Sequence, residues 1–97
     1  MENLDVLERL WNIIEDRRKN PTAGSYTAKM MADRERLFEK LQEELQEIIE
    51  AARNGKMEGK DSLSWETADF LYHLLVLLSL EGLDPDMVLS ELEGRMR

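Results

Sequence analysis

Residues 70–80 read FLYHLLVLLSL, the longest apolar run of a 97-residue chain, interrupted by His73. As a helix this run is apolar nearly all the way round, and three neighbouring helices of one small chain can hardly cover every side of it. A second copy of the chain is the expected cover. The plainer alternative is the central helix of a monomeric bundle. A bilayer needs roughly 17–25 such residues, so the run predicts no membrane span. Moving outward, Ser64 stands where an N-cap belongs, with Thr67 in place of the Glu or Gln of a capping box, and Gly82 closes the far end. These signals predict a helix from about Trp65 to Glu81.

The rest of the chain follows the same period. β-Branched residues are few, no stretch alternates with period two, and apolar residues recur at three- and four-residue spacing, so an all-α chain is expected. A first helix runs from about Leu4 to Lys19, with Val6, Leu7, Leu10, Trp11 and Ile14 on one face, and NPT (20–22) stops it. After an entry turn at Gly24 and Ser25 comes a short helix, Tyr26 to Ala32. A long acidic helix spans about Arg34 to Asn54 with Gly55 as its left-handed cap. A C-terminal helix starts with Asp84 as N-cap and Pro85 at its first position. The expected architecture is a helical bundle of four main helices plus a short one, a single domain of residues 1–97, completed by homodimerisation.

Composition narrows the function. With 42% hydrophobic and 35% charged residues the chain is globular rather than disordered. A net charge of −8 repels phosphodiester backbones and anionic lipid, so neither nucleic acid nor membrane is the expected partner. The absence of cysteine removes disulfides, thiolate catalysis and zinc-thiolate sites. The acidic start, MENLDVLERL, is unlike a secretory signal, and a cytoplasmic protein is expected.

The acidic helix carries LQEELQEIIEAAR (41–53), with four glutamates from Glu43 to Glu50. With Leu41 at zero and about 100° per residue, Leu37, Phe38, Leu45, Ile48, Ile49 and Ala52 gather within about 80° on either side. Glu43, Gln46 and Glu50 fall opposite, as a solvated face. Glu44 and Glu47 lie about 60° and 120° from Leu41 and border the core. On the apolar helix, Glu66, Asp69 and His73 share one stripe with Leu77 and Leu80. Each helix thus presents an acidic pair at i, i+3. If the two pack side by side, each like-charged contact at about 4 Å costs some 4 kcal/mol at an effective dielectric near 20. The sum rivals the roughly 5–15 kcal/mol stability of a small domain. A cation must offset it, or protons must, or the pairs must lie apart. Oxygen donors with no cysteine favour Mg²⁺, with Mn²⁺ as an alternative, over zinc.

Other features read more plainly. GKMEGKDS (55–62) is no phosphate loop, since its glycines stand one residue too close, Asp61 replaces the required hydroxyl residue and no strand precedes it. His73 is either a satisfied core histidine or a residue supporting the acidic stripe or the substrate. Trp65 and Tyr72 read as core or interface. Lys29, Arg34, Arg36 and Lys40 are candidates for phosphate oxygens, with ordinary helix-surface pairing as the alternative for each.

SYTAKMMAD (25–33), KLQEELQEIIEAARNG (40–55) and WETADFLYHLLVLL (65–78) resemble, in order and spacing, the phosphoribosyl-ATP pyrophosphohydrolases of histidine biosynthesis. These belong to the all-α nucleotide pyrophosphohydrolase superfamily, which includes MazG-type enzymes and dimeric dUTPases. The superfamily pattern EExxE…ExxD falls on Glu43, Glu44, Glu47, Glu66 and Asp69. The chain departs from the pattern at Gln42, where a glycine is expected, at DRE (33–35) and in the length of the 55–64 loop. The resemblance implies hydrolysis of phosphoribosyl-ATP to phosphoribosyl-AMP and pyrophosphate, Mg²⁺ dependence and a homodimer. It implies Glu44, Glu47, Glu66 and Asp69 as metal ligands and catalytic residues, with Lys29, Lys40, Glu43 and His73 on the substrate side. Two rival expectations are a house-cleaning hydrolase of free nucleoside triphosphates and a non-catalytic helical module that binds a basic partner.

Overall fold

Local signals set the ends of the helices. The computed structural model describes residues 1–96 and contains α1 (Asp5–Lys19), α2 (Tyr26–Met31), α3 (Arg34–Asn54), α4 (Leu63–Leu80) and α5 (Pro85–Arg95). No strand occurs among the described residues. The all-α expectation of four longer helices and a short one therefore holds. Ser25 Oγ accepts from Ala28 N at 3.2 Å to open α2, and Asp33 Oδ1 accepts from Arg36 N at 3.1 Å to open α3. Gly55 closes α3 at φ +67°, a left-handed conformation that a side chain disfavours. Asp84 and Pro85 start α5 as the sequence indicates.

The start of α4 differs from expectation. Its N-cap is Ser62, whose Oγ accepts from Trp65 N at 3.2 Å, while Ser64 lies inside the first turn and donates to Met57 O at 3.3 Å. The reason lies in the preceding loop. Gly59 and Asp61 both adopt positive φ, and Leu63 N bonds to Lys56 O at 2.8 Å, so the chain turns inward two residues early and Ser62 is fully buried.

α3 and α4 form the most extensive helix pair, and α1 and α2 pack against the same assembly. Arg34 at the start of α3 meets Glu81 just beyond α4 at 2.7 Å, so the two helices run antiparallel. Ile14, Met30, Leu37 and Val76 form the buried centre, flanked by Leu10, Leu41, Leu75 and Leu80. Ser79 Oγ donates to Glu15 Oε2 at 2.7 Å and ties α4 to α1.

The buried face of α3 is turned from the one the sequence favours. Leu37, Glu44 and Ala51 are buried, whereas Leu45 and Ile49 are 49% and 37% exposed and Ala52 is exposed. The rotation is about 60° toward Glu44. Its cause is the position of α4: the flank of α3 that pairs with α4 carries Glu44, and among the described residues Leu45 and Ile49 on the opposite flank stay exposed. On α1 only the C-terminal part of the expected face is inside. Ile14 is buried and Leu10 and Trp11 are half-buried, but Val6 and Leu7 are exposed. α5 buries none of its residues and leaves Met87, Val88, Leu89 and Leu92 exposed. No described helix is long and apolar enough to cross a membrane.

Candidate active site

The antiparallel pairing of α3 with α4 brings the two acidic pairs together. Glu44 is only 1% exposed and Glu66 only 5%. Burial pushes the Glu44 carboxyl up to about 7, with the charges of Asp69, Glu47 and Glu66 adding to the rise and Lys40 opposing it. Burial also pushes Glu66 up to about 7, followed by a hydrogen bond shared with Glu47 and the charges of Glu47, Asp69 and Asp61. Two carboxyl groups can share such a bond only when one of them holds a proton. Glu44, Glu47, Glu66 and Asp69 therefore form one electrostatic unit. Lys40, read from the sequence as a candidate for phosphate oxygens, is the cation whose charge acts on Glu44.

His73 is buried beside this unit, and its bonding fixes its state. Burial lowers its pKa below 6.5, so the ring is neutral at physiological pH. Nδ1 donates to the main-chain oxygen of Asp69 at 2.9 Å, and Nε2 accepts from the Tyr26 hydroxyl at 2.7 Å. Nδ1 also lies 2.8 Å from Glu44 Oε1, but its single proton is directed to Asp69, and Oε1 is left without a hydrogen-bond donor. The contact is no ion pair while the imidazole is neutral. A buried carboxylate oxygen without a donor costs on the order of 1–3 kcal/mol or more. Lone pairs with no protein donor can instead be satisfied by a cation.

The aromatic surroundings hold His73 in place. The rings of Tyr26 and Tyr72 meet it edge-on, with centroids at 5.5 and 4.8 Å. Thr27 Oγ1 and the Tyr72 hydroxyl are hydrogen-bonded, which adds a second tie between α2 and α4. Burial raises the Tyr26 hydroxyl above its ordinary value, so it remains a donor. Sequence spacing does not reveal this network, because Tyr26 and His73 are 47 residues apart and no periodicity relates them. Asp61, in the loop before α4, also raises Glu66 by its charge.

The remaining candidates separate. Glu43 lies on the outer face of α3, with Oε1 3.2 Å from Arg36 Nη1 and Oε2 3.9 Å from Lys40 Nζ, and does not join the four carboxylates. Arg34 is engaged by Glu81, and Arg36 by Glu39 and Glu43. Lys29 is exposed on α2, on the wall of a cavity at the α1–α2 turn.

The donor set suits a hard divalent cation: carboxylate oxygens only, two of them on groups that burial and mutual repulsion hold near 7, and one with no donor. Both nitrogens of His73 are engaged, which removes it from the ligand set. Among the described residues, however, no three acidic or histidine side chains stand ready-made around one point. The cluster is open on its Glu47 side, where the residue is exposed. Such a locus can take a cation together with the oxygens of a phosphorylated substrate.

The family described as phosphoribosyl-ATP pyrophosphohydrolase matches residues 7–96. A protein of Pelotomaculum thermopropionicum named phosphoribosyl-ATP pyrophosphatase is 43% identical over 96 residues, covering 98% of this chain and 95% of its own. Its namesake in Methanoculleus marisnigri is 39% identical over 100 residues and the full length of both chains. One from Sulfurisphaera tokodaii is 39% identical over 94 residues, 96% of this chain and 97% of its own. The chain belongs to the phosphoribosyl-ATP pyrophosphohydrolase family.

Proposed function

We propose that the chain hydrolyses phosphoribosyl-ATP to phosphoribosyl-AMP and pyrophosphate, the step of histidine biosynthesis implied by its family, at the carboxylate cluster between α3 and α4. Mg²⁺ held among Glu44, Glu47, Glu66 and Asp69 is part of this reading, as is a homodimer. The observation that carries it is Glu44: a fully buried carboxylate with a donor-less oxygen, raised further by the charges of Asp69, Glu47 and Glu66. When bound, the ion supplies compensation of phosphate charge and acidification of water.

The protein's own groups do the rest. Lys40, beside Glu44, meets the phosphate charge that enters the site. A carboxylate of the cluster takes the proton from the attacking water. His73 orients the Asp69 turn of α4 by its bond to the main chain and keeps Glu44 in contact with a neutral rather than a charged ring. Exposed Leu45, Ile49 and Leu71, with the apolar residues of α5, support a second copy as the cover of the open flank.

The direct test is Glu47→Gln assayed with phosphoribosyl-ATP. Turnover is expected to vanish while circular dichroism retains the helical signal; near-normal activity would remove Glu47 from the ligand set. Calorimetry with Mg²⁺ on the wild type is expected to give a defined stoichiometry. Faster turnover of a panel of deoxynucleoside triphosphates than of phosphoribosyl-ATP would favour a house-cleaning enzyme instead.

A further inference from the structure

A cavity of about 560 Å³ opens at the α1–α2 turn, walled by residues 22–26 with Ala28 and Lys29. Its size falls within the roughly 300–1,000 Å³ of small-molecule sites. Its charge sets it apart. The chain has 21 acidic residues against 13 lysines and arginines, yet this wall contains no carboxylate and one cation, Lys29, together with the hydroxyl residues Thr22, Ser25 and Tyr26. Gly24 enters the turn at φ +86° with nothing within 4 Å of where a Cβ would stand, so the mouth is open. The cavity is linked to the carboxylate cluster through Tyr26 and His73. The Tyr26 hydroxyl bonds to His73 Nε2 at 2.7 Å, and His73 Nδ1 lies within 2.9 Å of both Asp69 O and Glu44 Oε1.

Resting on the reading above, the substrate carries anionic groups at two places: a triphosphate, and a ribose bearing a 5′-phosphate. The carboxylate cluster accepts only an anion accompanied by cations. The second phosphate needs a separate place free of carboxylates. We infer that the cavity at the α1–α2 turn receives the phosphoribosyl end of the substrate, that Lys29 pairs with its phosphate, and that this contact selects such a substrate over a plain nucleoside triphosphate. Tyr26 keeps the two places in register, since the same residue walls the cavity and bonds to the histidine beside the cluster.

Ribose 5-phosphate is the probe. It is expected to inhibit wild-type turnover of phosphoribosyl-ATP competitively. Lys29→Ala is expected to raise KM by about 10- to 100-fold, as loss of a charge-assisted phosphate contact does, with a smaller fall in kcat and loss of inhibition by ribose 5-phosphate. Lys29→Arg should restore both. Lys29 is exposed, so these variants are expected to fold. A fall in kcat at unchanged KM and unchanged inhibition would move Lys29 to the reacting phosphates and overturn the inference, as would no change at all. If the wild type fails to turn over phosphoribosyl-ATP, the proposed function falls, and NMR titration with ribose 5-phosphate still decides the site. Shifts at Gly24, Ser25 and Lys29 that vanish in Lys29→Ala support it, and their absence in the wild type overturns it.

Discussion

At the scale of single residues, the charge state of Glu44 links stability to function. Folded, Glu44 and Glu66 titrate near 7, against an ordinary value of 4.5. Between these limits the folded chain holds more protons than the unfolded one. The stabilisation is complete below about pH 4.5 and is lost as pH rises through about 7. His73 acts in the opposite sense, because its folded value lies below 6.5 and its contribution disappears on descending through that value. Glu15, lowered by hydrogen bonds from Arg18 and Ser79, matters only below 4.5. Two raised carboxyls outweigh one lowered imidazole, so the metal-free chain is expected to melt at lower temperature at pH 8 than at pH 5. Glu44→Gln removes one of the buried charges: its Tm is expected to exceed that of the wild type at pH 8 and to equal it at pH 5. Its turnover should fall by more than the about 10–100-fold that loss of a supporting partner costs a metal site. Equal pH dependence of Tm in both proteins would count against a buried, pH-titrating Glu44. The acidic stripes themselves were legible, since spacings of three and four place Glu44 with Glu47 and Glu66 with Asp69 and His73. The state of His73 was not, because its partner Tyr26 approaches only through tertiary packing.

At the scale of elements, the helices were legible from their caps and the errors lie where two signals competed. Two serines near the start of α4 can each cap a helix, and sequence alone does not weigh the loop that precedes them. Positive φ at Gly59 and Asp61 turns the chain early and makes Ser62 the cap. Ser62→Ala is therefore expected to cost about 1 kcal/mol, within the 0.5–2 kcal/mol span of lost N-caps. In a chain of this length that lowers Tm by roughly 4–8 °C. Ser64→Ala should stay within about 0.5 kcal/mol, as exposed substitutions do. Urea denaturation of both variants checks the pair, and the reverse order would return the cap to Ser64. α3 shows a different competition. Averaging its apolar residues points the helix through Leu41, but the buried direction lies between Leu37 and Ala51 because α4 meets that flank. A wheel drawn for one helix weighs all apolar residues alike and cannot separate those that face a neighbour in the same chain from Leu45 and Ile49.

At the scale of the whole molecule, the surface is too large for a chain of this mass. The chain exposes 7299 Å², whereas a folded monomer of 11.4 kDa is expected to expose about 5,800 Å². Its radius of gyration, 14.6 Å, likewise exceeds the roughly 12.5 Å of a compact chain of 97 residues. The excess, about 1,500 Å² per chain, is what each half of an obligate homodimer typically covers. The apolar run at Phe70–Leu80 pointed to a second copy; the rotation of α3 adds which residues it would meet, since Leu45 and Ile49 lie exposed on the flank away from α4. A charge on that flank would be buried without a partner at a dimer interface and would cost several kcal/mol. The double variant Leu45→Glu, Ile49→Glu is therefore expected to raise the dimer dissociation constant at least about 100-fold. Sedimentation at micromolar concentration should give twice the chain mass for the wild type and the single-chain mass for the variant. The melting temperature should rise with protein concentration in the wild type only, because association stabilises by mass action. Wild-type protein sedimenting at 11.4 kDa, with a melting temperature independent of concentration, would leave the exposed flank of α3 without a second copy to cover it.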